Sequence, residues 1–207
     1  MENLNAIRKA SPYSAAITRE QFLFYEMKTT AFLMMEGLSD EEISGRIVKE
    51  NLYQYPTLRS LRDMSRACIR RLHFLHSETL VEVIAKGPSP VAKQVCLYAM
   101  MKQYRLVWDF MITVVGDKYG HQDFHFTQRD MDDFMEQLRE QDDWVALWSE
   151  STVKKVKQIL YRLLVDNGYL DDRKSTVLNP VLIEPVLEKE IRKNHDEIAL
   201  PAFDCFY

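Results

Sequence analysis

Four arginines, Arg59, Arg62, Arg66 and Arg70, follow one another at intervals of three, four and four residues. At about 100° per residue this spacing aligns them in one stripe along a helix, and His73 extends it. Arg71 adds a fifth guanidinium beside the stripe, while Leu58, Leu61, Cys68, Leu72 and Leu75 fall near the opposite side and face a core. Guanidinium forks match phosphate oxygens two at a time, and their docking releases counterions from a polyanion. Phosphate binding is therefore the chemistry this row could perform. Residues 51–108 hold nine Lys or Arg against three Asp or Glu in a chain of net charge −4, so positive charge is gathered locally. The plain alternative is a solvated helix face neutralised by carboxylates of a neighbouring helix.

A second basic face follows a helix start. Ser149, Ser151 and Thr152 precede Lys154, Lys155 and Lys157, and Val153, Val156, Ile159, Leu160, Leu163 and Leu164 supply a buried side. Small hydroxyls and backbone N–H groups at a helix start meet phosphates, and lysines reach backbone or bases. Ser151, Thr152, Lys154, Lys155 and Lys157 are thus candidate nucleic-acid contacts. Lysines there oppose the helix dipole, a small cost that favours a binding role. The same arrangement serves protein contacts equally well.

Other chemistry finds no support. Neither GxxxxGK[ST] nor GxGxxG occurs, so no phosphate loop is expected. His121 and His125 lie four apart and His73 and His76 three apart, each pair without a convincing further ligand, so no metal is expected. Cys68 and Cys96 fall on apolar helical positions and read as core; three widely spaced cysteines without CxxC suit a reducing compartment. Asp142-Asp143 and Asp171-Asp172 are explained by capping and turn roles. The reading is of a non-enzyme without a cofactor.

The elements that must carry these residues are mostly helical. With 46% hydrophobic and 28% charged residues, only 6 Gly and 7 Pro, the 207 residues read as one ordinary or two small α-rich domains. No apolar run approaches the roughly 20 residues of a membrane span, and Met1 to Ala10 lacks the apolar stretch of a secretory signal, so a cytoplasmic location is expected. Thr18 with Gln21 reads as a capping box opening a helix to about Glu36; Ser39 with Glu42 opens another, and Thr57, Ser77 and Ser89 begin three more. Gly116 to His125 lacks periodicity and is taken as a boundary, giving a helical domain over 1–120 and a second domain over 121–207. Thr127 with Asp130 caps a helix to about Gln141; a short helix and the helix after Ser149 follow. Tyr169-Leu170 and Val177 to Ile183, around the polar turn Asp171–Ser175, read as a β-hairpin. Helix, short helix, longer helix and hairpin is the order of a winged helix-turn-helix with that turn at the wing tip. A last helix from Pro185 leads into an apolar tail, Ala199–Tyr207, whose Phe203, Phe206 and Tyr207 could anchor a partner or fold back.

Tyr13-Ser14-Ala15-Ala16-Ile17-Thr18, Met35-Glu36-Gly37-Leu38-Ser39 and Glu50-Asn51-Leu52 resemble segments of the BrxA family, the small subunits of bacterial BREX phage-defence systems. Trp148-Ser149-Glu150-Ser151-Thr152-Val153-Lys154-Lys155, Gly168-Tyr169-Leu170 and the Pro180-containing stretch resemble it too, so the likeness runs from about residue 12 to 190. The resemblance implies a non-enzymatic component of a multi-gene defence locus that also encodes a methyltransferase, a phosphatase-like protein and ATPases. It further implies binding of double-stranded DNA and a helical fold likened to the antitermination factor NusB. It supplies no catalytic residues. The expectation is thus a duplex-DNA-binding subunit with little sequence specificity that contacts other BREX subunits. A protein adaptor, whose basic stripe docks an acidic partner surface, and a structured-RNA binder are the alternatives.

Overall fold

The computed structural model describes residues 2–206, with side chains from Asn5 to Phe206. In chain order the helices are α1 (Glu2–Ala10), α2 (Phe24–Met35), α3 (Asp40–Glu50), α4 (Leu58–Phe74), α5 (Glu78–Lys86), α6 (Ser89–Gln103), α7 (Arg105–Phe110), α8 (Asp117–Gly120), α9 (Gln128–Gln141), α10 (Asp143–Ala146), α11 (Glu150–Asp166) and α12 (Pro185–Lys193). 3₁₀ turns occupy Ala15–Thr18 and Glu197–Phe203, and a π-helical turn spans Met111–Gly116. The protein is mostly α.

Helices α3, α4, α5, α9, α10 and α11 start at a capping side chain. The Ser39 hydroxyl accepts from the Glu42 N–H while the Glu42 carboxylate accepts from the Ser39 N–H at 2.8 Å, and Thr127 and Asp130 form the same reciprocal pair. Thr57, Ser77 and Ser149 cap α4, α5 and α11. The Thr18 box does not form. Ser14 caps a 3₁₀ turn there, and α2 begins six residues later, after Leu23 at φ 55°. Phe22, buried and stacked on Phe24, claims the stretch that a continuous helix would need.

The chain divides by contacts into two compact units: Phe22–Gln103 with Glu184–His195, and Met1–Gln21 with Tyr104–Ile183 and Asp196–Tyr207. Both units take up the chain more than once, unlike the single division after residue 120 read from the sequence. In the first unit, α2 packs on α3, α4, α5 and α6, and α12 packs on α5. Helix α6 is buried all round from Val95 to Met101, as suits a central helix. Leu33, Ile43, Ile47, Tyr53, Leu61 and Ile69 form one core cluster.

The first unit also encloses a charge. Arg71 is fully buried. Its Nη1 donates to the Phe22 carbonyl at 3.0 Å and its Nε to Gln103 Oε1 at 3.2 Å, so one guanidinium holds both ends of the 22–103 segment. This corrects the expectation that Arg71 lies beside the exposed stripe. Positions 61, 64, 68, 71 and 75 share the inward face of α4, and a permanently charged group placed there must find polar partners. Leu58, expected inward, is exposed in the first turn.

In the second unit Phe110 meets Phe126 and Phe134 edge-on, and Tyr119 stacks on Tyr169. The expected hairpin is reduced to single contacts. Residues 176–178 pair with 124–126, just before α9, through one antiparallel bridge between His125 and Val177, while Asn179 N–H alone reaches the Tyr169 carbonyl. The 124–126 backbone offers the paired N–H and C=O that 169–170, tied into the α11 terminus, does not. The apolar tail folds back: Ala199, Leu200, Ala202 and Phe203 are buried, and Tyr169 Oη donates to the Ala202 carbonyl at 2.8 Å. A Cβ at Gly116 would lie 3.0 Å from Pro201 Cβ, a crowded contact that a larger residue could make only if the 201–202 stretch moved by a few tenths of an ångström. Phe206 is half exposed, and Tyr207 lies outside the described residues. Among the described residues no helix is long and apolar enough to cross a membrane.

Arg71→Ala strands the Phe22 carbonyl and opens a cavity. We expect urea unfolding to show a loss of about 3 kcal/mol; an unchanged midpoint would mean the guanidinium holds nothing.

Candidate nucleic-acid interface

Two cationic surfaces exist, one in each unit. On α4, inward Leu61, Cys68, Arg71 and Leu72 turn Arg59, Arg62, Arg66 and Arg70 to solvent, and all four are exposed. From Arg59 to Arg70 the helix rises about 16 Å, the length of several phosphates along one strand. Arg59 reaches Asp63 at 3.8 Å with a side chain 91% exposed, a weak and solvent-screened pair. Arg62 and Arg66 have no carboxylate within ion-pair distance among the described residues. His73 is held by Asp40 at 2.9 Å, which takes it out of the row of open cations.

The α11 residues do not act as one set. Lys157 Nζ lies 2.7 Å from Asp132 Oδ1 of α9, and that ammonium hydrogen bond lowers the Asp132 pKa. Ser151 and Thr152 hydroxyls both bond Ser149 Oγ at 2.9 Å, so they take part in the helix cap. Lys154 and Lys155 are exposed but point differently. Lys154 lines a groove of about 730 Å³ together with Lys157, Gln158 and Tyr161 of α11 and residues 173–176 of the turn; Lys155 does not.

The facing turn brings cations that the sequence analysis passed over. Asp172 Oδ1 accepts from the Lys174 N–H at 2.6 Å and the Ser175 N–H at 2.9 Å, which fixes the turn and lowers the Asp172 pKa. Arg173 and Lys174 are thereby displayed into the groove with no carboxylate partner among the described residues. The signal was present as Asp-Asp-Arg-Lys-Ser; its acidic half drew attention to the turn and away from the cations. Elsewhere among the described residues, no cluster of His, Cys, Asp or Glu is placed to hold a metal ion.

The chain matches the BrxA family model over residues 11–195. It belongs to the BrxA family. It is 30% identical to a BREX protein BrxA from Bacillus cereus (strain H3081.97) over 182 residues, 87% of this chain and 90% of that one. It is 27% identical to a BREX protein BrxA from Paramagnetospirillum magneticum (strain ATCC 700264 / AMB-1) over 188 residues, 91% of this chain and 94% of that one. A crystal structure of an uncharacterized protein from Magnetospirillum magneticum superposes with a TM-score of 0.80 at 26% identity, covering 93% of this chain and 98% of that one. Membership of the BrxA family points to a component of a BREX defence system.

The buried cysteines are inert in this setting. Burial pushes the Cys68 thiol up to about 12 and raises that of Cys96 as well, whereas Cys205 is partly accessible. Titration with an aromatic disulfide at pH 8 is expected to find one fast thiol in the native protein and all three after denaturation; fast reaction of three in the native state would contradict the fold.

Proposed function

We propose that this BrxA protein is a non-enzymatic, cytoplasmic subunit of a BREX-type system that grips duplex DNA by its phosphate backbone and contacts other BREX subunits. The observation that carries the reading is the exposed α4 row, in which Arg62 and Arg66 stand without a carboxylate among the described residues. A chain of net charge −4 and pI near 5.8 has no global field for polyanions, so a row of this kind supplies the attraction locally. Contacts to phosphates position a protein on DNA without reading bases, and little sequence preference follows. Of the apolar tail that the adaptor alternative would use, Phe203 is buried within its own unit and Phe206 is half exposed.

The test is anisotropy of labelled duplexes of unrelated sequence at several salt concentrations, with single-stranded DNA and structured RNA as competitors. Reversing Arg62 and Arg66 to Glu should weaken every duplex at least about tenfold and flatten the slope of log K against log salt by about 1.8, at about 0.9 per phosphate contact. Absence of duplex binding by the wild-type protein at low salt, or an unchanged double variant, would reject the reading.

A further inference from the structure

The groove between α11 and the Asp172 turn has the form of a channel with cations on both walls. Lys154 stands on the helix wall, and Arg173 and Lys174 stand opposite on the turn. None of the three has a carboxylate partner among the described residues. The acids near the channel are already engaged: Glu150 pairs with Arg139 at 3.2 Å, Asp132 with Lys157, and Asp172 with the backbone of its own turn. Because those Asp172 bonds hold the turn, the backbone that carries the two cations is ordered before binding. The Ser175 side chain is tied to the same carboxylate, Oγ to Oδ1 at 3.3 Å. Tyr161, edge-on to buried Phe126, forms a firm floor.

We infer that this channel seats the phosphodiester backbone of one strand of a duplex, with Lys154 on one side of the strand and Arg173 and Lys174 on the other. The inference rests on the duplex-binding reading and adds to it a second contact, separate from the α4 row and made by a turn instead of by α11 alone. A strand lying in a channel meets cations from two directions, whereas the α4 row meets its phosphates from one.

Two measurements on the full chain test it. The first is the salt dependence of a labelled 20-base-pair duplex binding to the Arg173→Glu/Lys174→Glu variant. Both positions are exposed, so the variant should keep the wild-type unfolding midpoint. Its log K against log salt should be flatter by about 1.8. The second is lysine acetylation read by mass spectrometry with and without the duplex. Lys154 and Lys174 should be protected several-fold while Lys155, on the same helix but outside the channel, stays reactive. Wild-type binding that the Arg62/Arg66 reversal weakens, but that the turn variant leaves unchanged in slope, would overturn the channel and leave the broader reading standing. Equal protection of Lys154 and Lys155 would overturn it too. A wild-type protein that binds no duplex rejects both.

Discussion

A guanidinium in the interior decides how α4 is turned. A buried guanidinium must keep hydrogen-bond acceptors around it, and Arg71 finds the Phe22 carbonyl and the Gln103 side chain. Once position 71 faces inward with 61, 68 and 75, the helical period leaves 59, 62, 66 and 70 facing water. Inner anchor and outer row are therefore two consequences of one rotation. The tie also closes the 22–103 segment on itself, joining its first residue to its last, and in the other unit the Tyr104 hydroxyl donates to Glu20, linking the stretch that ends at residue 21 to the one that starts at residue 104.

Local chemistry was legible in the sequence at most sites whose determinant lay within four residues, the unformed Thr18 box excepted. The Ser39, Thr57, Ser77, Thr127 and Ser149 caps and the α11 terminus at Asn167-Gly168 all follow from side chains and backbone groups that are neighbours in the chain. The exposed arginines of α4 were legible for the same reason. Arg71 was not, although the 61–64–68–71–75 spacing placed it inward; its charge type argued for the surface, and its partners lie 49 and 32 residues away. The division into units was also hidden, because residues 184–195 return to a body built by residues 22–103. The hairpin failed on the same ground: the partner of 176–178 is some fifty residues upstream. At the basic faces, composition named the lysines of α11, but only geometry separates Lys154 from the Asp132-bound Lys157 and from Lys155.

The two cationic surfaces differ in physical kind. The α4 row is open, screened by solvent, and additive in its contacts; the α11 channel is walled and held by a turn whose own carboxylate is spent on backbone N–H groups. An open row tolerates any polyanion that can lie along it, while a walled channel limits the width of what enters. Membership of the BrxA family, with relatives that align along nearly their whole length, points to a component of a BREX defence system as the owner of both surfaces.

The contact between Gly116 and Pro201 has a consequence for biosynthesis. The π-helical turn at 111–116 is covered by residues 197–203, and the other unit lacks α12 until residue 193 has been made. A ribosome that has translated the first 180 residues therefore holds two incomplete bodies, each with apolar surface still uncovered. Each body is therefore closed by chain that returns from far along the sequence, residues 184–195 in one and residues 196–203 in the other.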